Sequence, residues 1–199
     1  MKTRIFTLAL LALGSAASQA TVIDFEGHGM DFGNPMFEAG YTFTIATSGW
    51  TIATDDWGFS PPPVRNGTTR LLWSGNGNGG TDGGQITMTQ TNGNPFSLSS
   101  FDASVMFDDG RTNRLIVIGQ YSGGGVIENT FSINTVFAGK TTTGDWTNLE
   151  SVIFLSGTND AFISDPGVGL DNIGVDVVPE PASLAAIGLG LAFLKRRRK

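Results

Sequence analysis

The chain has no cysteine, one histidine and almost no lysine across its middle. The first absence excludes a disulfide framework and any thiolate metal site. A lone histidine, His28, excludes the HExxH zinc pair and leaves a hydrolytic triad a single possible base. It sits in "EGHGMD", a glycine-flanked stretch that reads as a solvated loop. The positive charges are unevenly placed. Lys2 and Arg4 open the chain, and Lys195, Arg196, Arg197, Arg198 and Lys199 close it. Between Thr21 and Val178 stand five basic residues, Arg65, Arg70, Arg111, Arg114 and Lys140, against 17 acids, a net charge of −12. Such a field repels phosphate backbones, so nucleic acid is excluded as a partner.

What is abundant is turn chemistry. Twenty-eight glycines, with Thr, Ser, Asn and Phe in quantity, suit many short strands joined by tight turns. No stretch of the middle carries a 3.6-residue apolar stripe, whereas apolar residues alternate with polar ones in many short runs. Strands are expected at "TVIDFE", "YTFTIAT", "GWTIAT", "TRLLWS", "GQITMTQ", "FSLSSFDASVMF", "NRLIVIGQY", "GGVIENTFSI", "DWTNLESVIFLS" and "GVGLDNIGVDV". The intervening "SPPPVRNG", "GNGNGGTDGG", "TNGNP", "DDGRTN" and "SGGG" are turn formers. The expected fold is all-β: a two-sheet antiparallel β-sandwich, or jelly roll. A domain of roughly 150 residues buries about two-thirds of its unfolded surface, so it needs no disulfides.

The two ends of the chain read differently. Residues 1–20, "MKTRIFTLALLALGSAASQA", have a basic start, an apolar stretch and small residues Ser18 and Ala20 before Thr21. That pattern predicts a signal peptide, with its helix removed by a cut before Thr21. At the other end, Ala182 to Leu194 is apolar apart from Ser183 and is followed by five positive charges. A short C-terminal transmembrane helix with a basic cytoplasmic stop is expected, lengthened by snorkelling stems. The domain boundaries are therefore 1–20, 21–177 and 178–199.

"VPEPASL", a short apolar helix and an arginine cluster resemble, in that order, the PEP-CTERM sorting signal of Gram-negative bacteria. The same tail is also called an ice-binding-protein C-terminal domain, which implies no affinity for ice. The resemblance implies processing by an exosortase, a membrane transpeptidase, with Pro179, Glu180 and Pro181 as recognition residues. It implies transient anchoring in the inner membrane, then release to the cell surface or an extracellular matrix. Physically, two prolines around one glutamate hold a helix-free segment that a protease can grip.

The body is similar in outline to jelly-roll domains of PEP-CTERM proteins, and to galactose-binding-like and carbohydrate-binding-module sandwiches. "IDFEG", "LESVIFLSG" and "GLDNIGVDV" carry that likeness. By resemblance to calcium-bearing members, Asp24, Glu26 and Asp171 match a structural Ca2+ site joining first and last strands. Asp24 and Glu26 are two apart, so a continuous strand would put them on one face. The alternative is that Asp171-Asn172 merely shapes a strand end.

Other constellations are weaker. "GNGNGG" at 75–80 matches G-x-G-x-x-G, but a strand pattern follows it where the dinucleotide fingerprint needs a helix. Asp55–Asp56 and Asp108–Asp109 are paired carboxylates, yet adjacent strand residues point to opposite faces and no nucleophile–base set converges. Trp73 and Trp146 lie in strand patterns and are expected in the core. Trp57, in "TDDWGFSPPP" with Asp55, Asp56 and Phe59, is the candidate platform for stacking a sugar, against a plain packing role. The expectation is a non-enzymatic structural or adhesive protein of an exopolysaccharide matrix. A calcium-dependent carbohydrate-binding module is the alternative, and a glycan hydrolase comes third.

Overall fold

The computed structural model describes residues 20–28, 34–45, 52–53, 64, 66–73, 84–106, 113–157 and 167–177. The expected signal segment, apart from Ala20, and the apolar tail lie outside them. Among the described residues no helix is long and apolar enough to cross a membrane.

The described residues form twelve strands: β1 Ala20–Ile23, β2 Met36–Glu38, β3 Tyr41–Ile45, β4 Ile52–Ala53, β5 Arg70–Trp73, β6 Gln85–Gln90, β7 Phe96–Val105, β8 Asn113–Tyr121, β9 Val126–Ile133, β10 Ala138–Thr141, β11 Leu149–Gly157 and β12 Val168–Val177. Every pairing is antiparallel. Two layers result, each of six strands. The first sheet runs β2–β3–β6–β11–β8–β9. In the second, β7 lies between β10 and β12, and β12 shares its other edge between β5 and β1, with β4 beyond β5. A single pair, Leu149 opposite Phe96, joins the sheets where β11 meets β7. The molecule is an all-β antiparallel sandwich of the jelly-roll kind.

The alternation in the sequence builds this directly. On β3, Tyr41, Phe43 and Ile45 are buried while Thr42 and Thr44 face outward, and on β6 Ile86 and Met88 alternate with Thr87 and Thr89. The inward sets meet between the layers. Phe101 of β7 packs edge-to-face on Phe154 of β11 at 5.5 Å, and Tyr41 of β3 on Phe96 of β7 at 5.3 Å. Each such ring contributes about 1.5–3 kcal/mol by burial alone.

Strict alternation fails at two places in the second sheet. Asn172 has φ 47° and the register against β7 shifts between Asp171 and Gly174. The bulge turns both Leu170 and Ile173 inward and leaves Asn172 exposed. Opposite it, Leu98 and Phe101 are both buried around Ser99 and Ser100.

Each of the ten expected segments contains a strand, and β2 and β10 are additional. Three-residue β2 and "AGKT" of β10 are too short and too poorly patterned for periodicity to reveal. Two expectations need correction. The first strand stops at Ile23, short of Asp24 and Glu26, and Trp146 precedes β11 instead of lying within it. Its indole is buried all the same, with Nε1 donating to Thr143 O at 3.0 Å.

Candidate functional site

Asp171 is the acid that the fold buries most deeply among the described residues, at 1% exposure. The bulge at Asn172 places it on β12 beside the segment leading into β5. Its Oδ2 accepts from Asn66 Nδ2 at 2.6 Å and from Thr68 Oγ1 at 2.7 Å, and its Oδ1 accepts the Asn172 backbone N–H at 2.7 Å. Burial pushes the carboxyl above its ordinary range, and the Glu26 charge adds to that push. The three hydrogen bonds pull the other way without cancelling it. Glu26 accepts the backbone N–H of Thr69 at 3.2 Å, while Asn172 Nδ2 donates to Asp102 at 2.9 Å. The cluster thus pins the 66–69 segment and the residues after β1 to the middle of β12.

The structure therefore brings two of the three acids, Glu26 and Asp171, into electrostatic contact, and it separates the third. Phe25 adopts φ 56° and is wholly buried, packing on Phe43 at 5.5 Å. That left-handed turn breaks the strand geometry on which a shared face for Asp24 and Glu26 depended. Asp24 instead accepts the Glu26 N–H at 3.3 Å in a local turn. Among the described residues no three acidic or histidine side chains gather to hold a metal ion. The fit to calcium is poor, because donors take three of the four lone-pair sites on the Asp171 carboxylate and no third acid joins it and Glu26 among the described residues, while calcium needs six to eight oxygens.

His28 is not a free loop residue. Its Nε2 meets Glu38 Oε2 at 2.5 Å, fastening the loop after β1 to β2. Sequence spacing gave no sign of this pair, which arises from tertiary contact. Trp57, Asp55 and Asp56, the paired Asp108–Asp109, the 75–80 glycine run and Pro179, Glu180 and Pro181 lie outside the described residues.

Composition also concealed a surface, the outer face of the first sheet. Cross-strand partners place one row on it: Phe37 opposite Thr42, Thr42 opposite Thr89, and Gln120 opposite Ser151 on one side and Val126 on the other. Thr89 falls beside Ser151, one step along the ladder from Met88 and Val152. The row crosses six strands, about 24 Å at ~4.8 Å per spacing. Phe37 is 58% exposed at one end and Val126 65% at the other. Ser151 Oγ donates to Gln120 Oε1 at 2.6 Å, and the Thr42 and Thr91 hydroxyls lie 3.0 Å apart. The next rows hold Thr44, Thr87, Ile153 and Ile118, then Gln85, Leu155 and Ile116. Charge stands at the margin, with Glu128 on β9 and Arg114 near one end of β8. The face offers hydroxyls and amides over aliphatic ground, with an exposed ring at its edge.

Comparison with known proteins supplies two findings. Residues 177–199 match the PEP-CTERM protein-sorting motif. No curated protein matches the chain. Among solved structures, an arabinose-bound α-L-arabinofuranosidase is similar at 13% identity and a TM-score of 0.49, over 82% of this chain and 27% of that one. A CBM22 tandem domain from Paenibacillus barcinonensis is similar at 11% identity and 0.45, over 84% and 48%. A family 29 carbohydrate-binding module from Piromyces equi is similar at 11% and 0.47, over 81% and 92%. The chain thus spans about a quarter and a half of the first two. At these levels the likenesses assign no residue a role. The chain carries a PEP-CTERM sorting motif on a β-sandwich body whose solved likenesses include carbohydrate-binding modules.

Proposed function

We propose that this is an exported protein, sorted by an exosortase, that adheres non-enzymatically to a neutral polysaccharide of the extracellular matrix. The sorting motif at 177–199 supports export and processing. The observation that carries adhesion is the uncharged row from Phe37 through Thr42, Thr89, Ser151 and Gln120 to Val126. A linear glycan laid across the strands meets the hydroxyls of Thr42 and Thr89 and the amide of Gln120, which the buried Ser151 hydroxyl holds in place, and Phe37 offers a stacking ring. The body's charge of −12 favours a neutral polymer over an anionic one. Trp57, with Asp55 and Asp56, belongs to this reading as a second contact expected from sequence.

Affinity electrophoresis through neutral polysaccharides tests it. Phe37→Ala is expected to weaken retention about two- to tenfold, since a stacked aromatic is worth about 0.5–1.5 kcal/mol beyond its burial. Its exposure means that folding is hardly affected. Retention that is unchanged in Phe37→Ala and in Gln120→Ala would remove this face from the reading. Turnover of the polysaccharide, read as new reducing ends, would overturn the non-enzymatic part.

A further inference from the structure

The described body begins and ends at one place. β1 pairs antiparallel with the end of β12, Ala20 opposite Asp176 and Thr21 opposite Val175, which sets such Cα atoms about 4.5–5.5 Å apart. The expected leader cut, between Ala20 and Thr21, falls on the first residues of β1. The sorting-motif match starts at residue 177, the last of β12. Pro179 follows two residues later, about 7 Å of chain at full stretch. Neither junction has a spacer.

Described connections leave the sandwich at both ends. The end holding Ala20 and Asp176 carries connections 39–40, 91–95, 122–125 and 142–148, with Asp145 as their one charged residue. From the opposite end, where β12 begins at Val168, leaves the connection 134–137. A strand as long as β12, ten residues, separates the two ends by about 33 Å. From Val177 to the apolar segment at Ala182 is five residues, about 17 Å at full stretch, which cannot reach around that length.

We propose that the end marked by Ala20 and Asp176 is the membrane-proximal end of the protein during export. The inference rests on the export-and-sorting reading above. The leader and the sorting helix leave the body from neighbouring strands, so both enter the same patch of bilayer, and the two cuts fall about one strand spacing apart. The first sheet stands upright on the membrane with its outer face accessible from the side.

Because the chain lacks cysteine, one introduced thiol is a unique label. Asn92→Cys marks the near end and Val136→Cys, at a 63% exposed position, the far end. The full-length chain is inserted in phosphatidylethanolamine/phosphatidylglycerol vesicles carrying headgroup nitroxide lipid, and a fluorophore is attached at each site. Quenching is expected to be several-fold greater at position 92 than at 136. Inserting ten Gly/Ser residues after Val177 is expected to abolish that difference while the chain stays membrane-bound. Equal quenching at both sites in membrane-bound protein, or stronger quenching at 136, overturns the orientation alone. A chain that fails to sediment with the vesicles overturns the sorting reading and the orientation together.

Discussion

Tyr41 and Gln90 face each other across β3 and β6, and each buries an oxygen without a hydrogen-bond partner among the described residues. The Tyr41 phenol is pushed up to about 12, first by burial and then by the nearby Asp176 charge. An unsatisfied buried hydroxyl costs about 1–3 kcal/mol. Tyr41→Phe keeps the ring against Phe96 and removes that cost, so the melting temperature is expected to rise by a few degrees. A raised folded pKa means that the neutral phenol's contribution is complete below pH 10. It is lost as pH climbs from about 10 to about 12. Chemical denaturation across that window should show the decline in the parent and a flatter profile in Tyr41→Phe. A less stable Tyr41→Phe would mean that water bridges Tyr41 to Gln90.

Asp171 gives a second pH dependence, on the acid side. Its folded carboxyl lies above the unfolded range, so the folded state holds a proton that the unfolded state releases. Stability from this group grows as pH falls through its folded pKa toward about 4, and is lost as pH rises back through that folded pKa. Asp171→Asn is expected to erase that dependence. Asp171→Ala strands the Asn66 and Thr68 donors and should cost about 2–3 kcal/mol in urea titrations at pH 7. A neutral effect of Asp171→Ala would show that the 66–69 segment holds without it.

Most of the fold was legible because each sheet has one buried face, and that writes period two into β3, β6, β8 and β11. What escaped was short, like β2 and β10, or depended on a local backbone choice. Left-handed φ at Phe25 and at Asn172 decides where Asp24, Glu26 and Asp171 point, and no spacing rule announces it. The Asp171-Asn172 pair, read from sequence as the shaper of a strand end, lies inside β12 at its bulge. The hydroxyl row was hidden for another reason. Thr42, Thr89, Ser151 and Gln120 become neighbours only through register between strands distant in sequence.

Calcium is tested most simply by melting metal-freed protein with added calcium and with chelator. A cation stabilises by RT ln(1 + [L]/Kd), about 2.7 kcal/mol at a hundredfold excess over Kd. Donors take three of the four lone-pair sites of the Asp171 carboxylate and Asp24 accepts within its own turn, so coincident curves are expected. A rise with calcium that Asp171→Ala abolishes would restore a metal to the Glu26–Asp171 pair.

Gly119 shows how tightly the core is closed. It lies on β8 opposite Val152, on the inward face. A Cβ there would meet Ile127 Cγ2 at 2.9 Å, Leu149 Cδ2 at 3.0 Å and Trp146 Cζ3 at 3.0 Å. These neighbours come from β9, β11 and the connection before it, and the indole is fixed by its bond to Thr143. All three are side chains packed on the core, so room for the Cβ requires them to shift. Gly→Ala at a compatible site stabilises by about 0.4–1 kcal/mol through the unfolded state. Here overpacking, worth about 1–3 kcal/mol, should win. Gly119→Ala is therefore expected to lower the urea midpoint, whereas Gly123→Ala, where a Cβ meets nothing within 4 Å, should leave it unchanged or slightly raised. Combining Gly119→Ala with Ile127→Ala should cost less than the two separate losses together, because the second change makes room for the first. Strict additivity, or a Gly119→Ala protein as stable as its parent, would mean that Trp146 shifts freely and that the core at this point is loosely packed.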